Sequence, residues 1–445
     1  MTTSSGVSLY AEFLPNIRQI SVAASLPSPS NGRTRLVVHS DGATAELKYL
    51  DEGYTLSLPS RASAGDYTVY ANPNQKDSTS LSWRLPVHII VPQQPRSHDP
   101  NTDAVWSATD FEAGSEVSCR KCNTVVVVSG ATKVWKDLPS ENWAEMMEFW
   151  HCHKPADHPD HDHDDDHNNN QTDASGKADE QSLAARGYGA SSFVSAQKGV
   201  GFVDLTTLMF TESDCQNLTY SSSNFENGSP NIQDLSLTDS DGGAKRTLNV
   251  FCASCRTQLG FYVFRSAGVT LHKWQISCRS KSGVSPGMPE CLASTIISTT
   301  ARSGSSKSLI MPIDRATAQT DPSTIKQSAI HIWVMNNNIV YTSSSIPDRS
   351  IPAIKLFYRL ISRVEADQML DKVDQEAQEI NLPPEAIDEV VRHLEASNSL
   401  LPVSGREFKE WVQHLNSSDL QQLVKERQFR EWKVGLLTRI TTSVE

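Results

Sequence analysis

The chain has 445 residues, enough for two or three domains with a sizeable buried core. Its net charge of −12 at pH 7, without a stripe of lysines and arginines, argues against a surface that follows nucleic-acid phosphates and favours protein partners. No apolar run approaches about 18 residues, and the N-terminus has neither a basic nor an apolar signal segment, so we expect no membrane span and a location in the cytoplasm and nucleus.

Residues 7–97 are built of short runs in which apolar and polar residues alternate. Leu36-Val-Val-His39 and Tyr54-Thr-Leu-Ser-Leu58 are examples, and turn pairs such as Asp41-Gly42 separate the runs. Alternation with a period of two between tight turns is typical of antiparallel strands. We therefore predict a β-sandwich-like region over residues 1–100, with no catalytic spacing in it.

The segment 101–156 contains a first cysteine pair, Cys119-Arg-Lys-Cys122, followed by the β-branched run Thr124-Val-Val-Val-Val128. Such a run is typical of a strand that leaves a metal-binding turn. Leu138-Pro-Ser-Glu-Asn-Trp143 then predicts the start of a helix, because a proline and a capping serine precede an acidic first turn.

This predicted helix carries two tryptophans at helical spacing and should end near Pro155, because a proline disfavours helical geometry in the residue before it. The aromatic stripe is typical of ordinary core packing, and it is also suited to binding a partner. In the second interpretation the partner-binding residues are Trp143, Trp150, His151, Cys152 and His153.

Residues 157–198 begin with a low-complexity run that holds four histidines and six aspartates up to His167. This composition is typical of a disordered, solvated insertion, and it would also suit a metal buffer. Because nothing in the run fixes a coordination geometry, we interpret it as an insertion without a defined site.

The segment 199–350 holds the second cysteine pair, Cys252-Ala-Ser-Cys255. The run Gly260-Phe-Tyr-Val-Phe264 after it predicts a strand of the sheet that carries the metal-binding turn. A helix is expected to start at Cys291, and a hairpin is predicted around Asn336-Asn-Asn338.

The last segment, 351–445, is predicted to be helical. Apolar residues at three- and four-residue steps from Ala353 to Ala377 indicate an amphipathic helix, which Pro383-Pro384 should end. The tail from Glu385 is expected to be largely helical as well. Three aromatic residues should pack this tail onto the sheet: Trp411, Phe429 and Trp432.

The two cysteine pairs together supply four thiolates, from Cys119, Cys122, Cys252 and Cys255. Four sulfurs would fill the tetrahedral shell of one zinc ion and leave no position for water, so this zinc would stabilise the fold and would not hydrolyse a substrate. Two redox dithiols or four unrelated buried thiols are the alternatives, but disulfides are rare inside cells. Residues 123–251, which are 129 in all, separate the pairs, so the zinc would join two distant segments.

These elements predict a mainly β protein with helices, of the α+β class. It would consist of the N-terminal β-sandwich-like region, a central sheet stapled by zinc and a helical C-terminal part.

Several further segments follow one another in a recognisable order. Both cysteine pairs, Leu138-Pro-Ser-Glu-Asn-Trp143, Trp150-His-Cys-His153, Ile330-His-Ile-Trp-Val-Met-Asn336 and Phe429-Arg-Glu-Trp-Lys-Val-Gly-Leu-Leu437 occur along the chain. In these segments the chain resembles the HECT-like ubiquitin-conjugating-enzyme-binding family, a group of presumed ubiquitin-protein ligases with animal and fungal members. The resemblance spans roughly residues 105–437.

The resemblance implies that the protein binds a ubiquitin-conjugating enzyme and assists ubiquitin transfer. It also implies a link to the endonuclease subunit of the pre-mRNA cleavage and polyadenylation machinery. A HECT-type transfer needs an exposed thiol of lowered pKa that accepts ubiquitin as a thioester. Apart from the zinc candidates, only Cys152 has histidine neighbours; Cys215 lies in a polar loop, and Cys278 and Cys291 are interpreted as structural.

Four roles stay open for Cys152. As a nucleophile it would need His151 or His153 as its base, but in an extended chain both imidazoles point to the face opposite the sulfur. As a metal ligand within this protein it lacks further partners. As a ligand in trans it would enter the dinuclear zinc site of a partner nuclease and hold that nuclease inactive. A structural thiol is the fourth role.

Two functions are therefore predicted. The first is a ligase, or a ligase-like adaptor, that recruits a charged conjugating enzyme and promotes ubiquitin transfer. The second is a non-enzymatic chaperone or inhibitor that docks on the zinc-dependent endonuclease of pre-mRNA 3′-end processing through residues 138–155. The resemblance favours the first, whereas the lack of a recognisable HECT catalytic lobe in the sequence favours the second.

Overall fold

A computed structural model describes most of the chain: residues 6–68, 78–87, 105–138, 194–221, 247–264, 266–281, 283–313, 328–371, 377–413 and 427–440. The chain divides into two units. The first unit contains residues 1–105 and 286–445, and the second contains residues 106–285. The division of the sequence into five segments stays a prediction.

Strands dominate the described residues. In chain order they are β1 (Ser8–Leu14), β2 (Gln19–Ser25), β3 (Arg35–Val38), β4 (Thr44–Tyr49), β5 (Glu52–Ser57), β6 (Gly65–Thr68), β7 (Ser80–Pro86), β8 (Val117–Cys119), β9 (Val125–Val127), β10 (Val134–Asp137), β11 (Val200–Val203), β12 (Thr207–Thr211), β13 (Leu218–Ser221), β14 (Thr247–Cys252), β15 (Gln258–Val263), β16 (Gly268–His272), β17 (Ile276–Cys278), β18 (Lys307–Pro312), β19 (Ser328–Ser343), β20 (Ile346–Ser362), β21 (Ala377–Leu382), β22 (Glu407–Gln413) and β23 (Arg427–Thr438). The α-helices of these residues are α1 (Met288–Ser303), α2 (Arg363–Leu370) and α3 (Pro384–Leu400). The predicted α+β class is confirmed, and so is the helix that includes Cys291. None of the described helices is long and apolar enough to cross a membrane.

The first unit contains two sheets. The larger has nine strands, with the path β22-β23-β20-β19-β1-β2-β7 and with β18 placed between β19 and β21; the smaller has the order β5-β4-β3-β6. Residues of both sheets share one core, in which Ile20 and Leu81 of the larger sheet lie with Leu36 and Leu47 of the smaller. The predicted N-terminal strands are confirmed, and they pack face to face as a sandwich does.

The predicted amphipathic helix from Ala353 to Ala377 is wrong. Strand β20 runs through to Ser362, and among the described residues of this range only the eight of α2 that follow are helical. The strand pairs with β19 on one side and β23 on the other, and Ile354, Leu356 and Tyr358 are buried among its neighbours. A strand with both faces covered loses the clean alternation of a half-exposed strand, so its apolar steps can imitate those of a helix.

The prolines at 383 and 384 also act differently from the prediction, because Pro384 opens α3 and does not end an earlier helix. Proline is well tolerated in the first turn of a helix, where its missing N–H would have no partner inside the helix. The predicted helical tail from Glu385 is confirmed over α3 alone. Beyond α3 the described residues form one short 3₁₀ helix, Val403–Gly405, and the antiparallel strands β22 and β23.

The predicted hairpin at Asn336-Asn-Asn338 is wrong as well, because β19 continues through it. The pairing of β19 with β20 shifts register on either side of Asn336, so the extra residues are absorbed as bulges. Among the three tail aromatics, Trp432 packs into the core with 1% of its surface exposed, as predicted. Trp411 and Phe429 do not, since 60% and 48% of their surfaces are exposed.

The second unit holds a seven-stranded sheet, with the order β10-β11-β12-β16-β15-β14-β13, and a three-stranded sheet, with the order β17-β8-β9. Both sheets contribute to one core, which contains Val117, Leu208, Val250 and Leu271. Strand β15 lies against β16 so closely at Gly260 that a Cβ there would collide with the Thr270 carbonyl. The cysteine pairs lie at the strand ends of this unit.

Candidate metal centre

The first cysteine pair forms a tight turn between β8 and β9. Strand β8 ends at Cys119, whose N–H donates to the carbonyl of Thr124 at 2.8 Å, while the N–H of Asn123 donates to the Cys119 carbonyl at 2.8 Å. Asn123 takes a positive φ of 57°, which asparagine tolerates better than most residues. This turn brings Cys122 back beside Cys119.

The second cysteine pair repeats this turn between β14 and β15. Cys252 ends β14, and its N–H donates to the Thr257 carbonyl at 2.9 Å; the N–H of Arg256 donates to the Cys252 carbonyl at 2.9 Å. Arg256 has a φ of 60°. The two turns thus share the sequence pattern Cys-x-x-Cys-x-Thr and the same backbone hydrogen bonds.

The four sulfurs of the two turns meet. All four Sγ atoms lie within 4.8 Å of one another. The Sγ atoms of Cys119 and Cys255 are 3.6 Å apart, and those of Cys122 and Cys252 are 3.5 Å apart. These separations are far longer than a disulfide bond of about 2.05 Å, whereas sulfurs bound at about 2.3 Å to one tetrahedral ion would be about 3.8 Å apart. The donor set and its spacing therefore fit a metal ion.

The two thiols of each pair differ in pKa. Burial raises the pKa of the Cys119 thiol to about 12, and burial also raises the pKa of Cys252. Hydrogen bonds from the hydroxyl and N–H of Thr124 lower the pKa of Cys122 to about 6. Burial opposes ionisation of Cys255, but hydrogen bonds from Thr257 outweigh it and lower that pKa. A bound cation would hold all four as thiolates, with release of protons from the buried pair.

Asn217 connects the two cysteine turns directly. Its side-chain Nδ2 donates to the carbonyl of Val125 beyond the first turn at 2.9 Å, and its own carbonyl accepts the N–H of Ala253 in the second turn at 2.8 Å. Asn217 itself has a positive φ of 54°. The metal site is therefore held together by the protein as well as by any ion.

The role of Asn217 can be measured by two substitutions. We expect Asn217→Gly to lower the free energy of unfolding by about 1 kcal/mol, because it removes one side-chain hydrogen bond and keeps a residue that accepts positive φ. We expect Asn217→Ala to cost about 1 kcal/mol more, because alanine is strained in the left-handed region. Urea unfolding of both variants is the measurement, and equal losses for glycine and alanine would contradict the backbone part of the explanation.

Arg120 anchors the first turn to the neighbouring strand. Its guanidinium donates to the Ile276 carbonyl at 3.1 Å from Nη2 and 3.3 Å from Nε, and its backbone N–H donates to the carbonyl of Gln275 at 3.0 Å. Sequence reasoning missed the roles of Arg120, Asn217 and the two threonines. The threonines could have been found from the sequence, because in both turns a threonine stands two residues after the second cysteine of the pair.

The other described cysteines are not suited to nucleophilic chemistry. Burial, aided by the charges of Asp214 and Glu212, raises the pKa of Cys215 to about 12. Burial likewise raises the pKa of Cys278 to about 12, and Cys291 is fully buried in α1. Cys215 and Cys278 therefore carry almost no thiolate at neutral pH, and Cys291 is inaccessible.

Five residues predicted to bind a partner lie outside the described residues. They belong to the stretch 139–193, so their surface, and the role of Cys152 in particular, stays a prediction. These residues are Trp143, Trp150, His151, Cys152 and His153.

Comparison with known proteins completes the description of this region. Residues 12–413 match the sequence profile of the HECT-like ubiquitin-conjugating enzyme (E2)-binding family. The chain belongs to this family. The resemblance inferred from the cysteine pairs and the segments around them is confirmed. The match begins before the first of those segments and ends before the last of them, Phe429–Leu437.

Relatives of this HECT-like protein occur in two yeasts. An uncharacterized protein of Saccharomyces cerevisiae is 22% identical over 316 residues, which cover 69% of this chain and 71% of the yeast protein. An uncharacterized protein of Schizosaccharomyces pombe is 28% identical over 71 residues, 15% of this chain and 20% of that protein. No solved structure matches the chain.

Proposed function

We propose that this protein binds a ubiquitin-conjugating enzyme and promotes the transfer of ubiquitin from it, in the cytoplasm and nucleus. The observation that carries the proposal is the family match over residues 12–413, because the family is described as binding ubiquitin-conjugating enzymes. The matched residues include both cysteine turns, so the candidate metal centre lies within the part of the chain that the family model covers.

We further propose that the four-cysteine centre holds one zinc ion. Four soft thiolates in a closed shell suit zinc, and a Cys₄ shell leaves no position for a reactive water. The ion would thus position the β8–β9 and β14–β15 turns and take no part in the transfer. Its two turns lie on strands of one unit, so the zinc would link the three-stranded sheet to the seven-stranded sheet.

Ubiquitin transfer could proceed through a thioester on this protein or directly from the bound conjugating enzyme, and the state of the described thiols bears on this choice. A covalent HECT-type step needs an accessible thiolate, which neither Cys215, Cys278 nor Cys291 supplies. Cys152 is the remaining candidate for a thioester. If Cys152 does not react, the protein acts as an adaptor that presents the charged conjugating enzyme to a target.

The second predicted function, a chaperone or inhibitor of the pre-mRNA 3′-end endonuclease, stays a prediction. It depends on residues 138–155, of which only Leu138 is described. Insertion of Cys152 into the metal site of the nuclease would require no ubiquitin and no conjugating enzyme. A nuclease-binding measurement with Cys152→Ala therefore separates it from the ligase.

Direct binding tests the proposed function. We expect the full-length protein to bind at least one member of a panel of ubiquitin-conjugating enzymes with a Kd of about 1–100 μM, the range of a transient complex. Biolayer interferometry with the free enzymes and with their ubiquitin conjugates is the measurement. An unrelated protein with a Cys₄ zinc site serves as the control. Failure of the whole panel to bind, charged or free, would contradict the proposal.

A further inference from the structure

The threonines at the two cysteine turns occupy equivalent positions. The Thr124 Oγ1 atom lies 3.2 Å from the sulfur of Cys122, and the Thr257 Oγ1 atom lies 3.2 Å from the sulfur of Cys255. In both turns the threonine is the last residue before the next strand. That strand is β9, which begins at Val125, in the first turn and β15, which begins at Gln258, in the second. In each of the two turns, a hydroxyl therefore lies at the same distance from the sulfur of the second cysteine of the pair.

The sulfurs that the hydroxyls contact are the more accessible ones. Cys119 and Cys252 are buried, whereas Cys122 and Cys255 are partly exposed. The buried sulfurs are covered by the core of the second unit, to which both belong. Water, protons and competing chelators thus reach the metal centre from the side of the outer sulfurs.

We infer that Thr124 and Thr257 are positioning residues that retain the metal ion by donating their hydroxyls to the two outer thiolates; this inference rests on the proposed metal centre. A hydrogen bond to a thiolate holds its side chain in the ligating orientation. It also satisfies a lone pair that water or a proton would otherwise take. Each hydroxyl serves one sulfur, so their effects should combine.

Valine and serine substitutions isolate the hydroxyl. Valine has nearly the shape of threonine and keeps the backbone N–H, so Thr124→Val and Thr257→Val remove only the hydroxyl contact. Serine keeps the hydroxyl, so Thr124→Ser and Thr257→Ser are the matched controls. Thr109→Val is a further control in the same unit, because the Thr109 hydroxyl pairs with Ser107 at 2.7 Å and does not contact a sulfur.

The readout is the rate at which the purified full-length protein, loaded with zinc, transfers its metal to an excess of a colorimetric chelator. We expect each valine variant to release the metal about tenfold faster, and the double variant faster than either, in line with the loss of a residue that orients a metal ligand. The serine variants and Thr109→Val should stay within about twofold of the unaltered protein. In cobalt-loaded protein, the sulfur-to-metal absorption bands should shift in the valine variants and not in the serine variants.

Each outcome has a distinct meaning. A protein purified without metal that also fails to take up zinc or cobalt overturns the metal centre itself. Metal binding with equal release rates and equal cobalt spectra for threonine and valine overturns this inference alone. If the valine variants do not fold with metal, the serine variants test the inference. Metal release from the serine variants at the rate of the unaltered protein supports the role of the hydroxyl, and loss of metal from the serine variants as well overturns it.

Discussion

Replacing Cys252 with serine is expected to lower the free energy of unfolding by at least about 3 kcal/mol, which corresponds to a fall of about 10 °C in Tm for a unit of this size. Cys252 is fully buried at the end of β14, and its sulfur lies 3.5 Å from that of Cys122. Serine cannot complete a thiolate shell, so the ion would be lost or weakly held. The metal ion would then no longer hold the two cysteine turns together.

Thermal unfolding with and without a chelator measures this effect. The chelator should lower the Tm of the unaltered protein toward that of Cys252→Ser, and it should leave the variant almost unchanged, because stabilisation by a ligand acts only through binding to the folded state. Elemental analysis should give one zinc per chain before chelation. Zinc-free protein with full stability, or a Cys252→Ser variant as stable as the unaltered protein, would contradict the structural role of the metal.

Cys215→Ser is the matched control for that experiment. The sulfur of Cys215 contacts the carbonyl of Thr211 at 3.3 Å, a contact that a serine hydroxyl can also make. Cys215 is in the same unit and does not belong to the four-sulfur cluster. We therefore expect its substitution to change the Tm little and to leave the chelator effect intact.

Cys152→Ser is expected to abolish a ubiquitin adduct, if the protein transfers ubiquitin through a thioester of its own. Incubation with activating enzyme, conjugating enzyme and ubiquitin would give an adduct that reductant removes. The combined variant Cys215→Ser, Cys278→Ser and Cys291→Ser should keep this adduct, provided that it folds. Burial raises the pKa of Cys215 and of Cys278 to about 12, so both thiols stay protonated at pH 7 and are poor nucleophiles.

Gel electrophoresis with and without reductant is the measurement, and single variants replace the combined one if it does not fold. A reductant-sensitive adduct that persists in the Cys152→Ser variant would show that another cysteine is the nucleophile. No adduct in the unaltered protein, while binding to the conjugating enzyme persists, would exclude the covalent route and leave the adaptor. No binding and no adduct together would contradict the proposed function as a whole.

The local elements of the metal centre could be predicted from the sequence, because a Cys-x-x-Cys turn places its two sulfurs together through a few backbone dihedrals. The strand after Cys122 and the strand after Cys255 were likewise predicted from β-branched and aromatic composition. The bridging role of Asn217 could not be, since it depends on the carbonyl of Val125 and the N–H of Ala253, which are far apart in sequence. Hydrogen bonds of that kind leave no periodic trace in a single sequence.

The errors in the C-terminal half have more than one cause. Helix and strand were distinguished by the spacing of apolar residues, and this criterion fails where a strand is covered on both faces, as β20 is around Leu356. The hairpin error has a different cause: the asparagines from 336 to 338 are typical of a turn, but β19 accommodates them as bulges in its pairing with β20.

Residue types and short spacings by themselves determined the α+β class, the two ligand pairs and the family to which the chain belongs. These follow from chemistry within a few neighbouring residues, where one chain segment decides its own geometry. Only the tertiary structure decided that the sulfurs of Cys119 and Cys255 come within 3.6 Å, that two threonine hydroxyls lie 3.2 Å from the outer sulfurs, and that residues 353–362 are a strand. Those features depend on which strands become neighbours, because backbone groups and side chains distant in sequence complete each other's hydrogen bonds and burial only after the sheets have assembled.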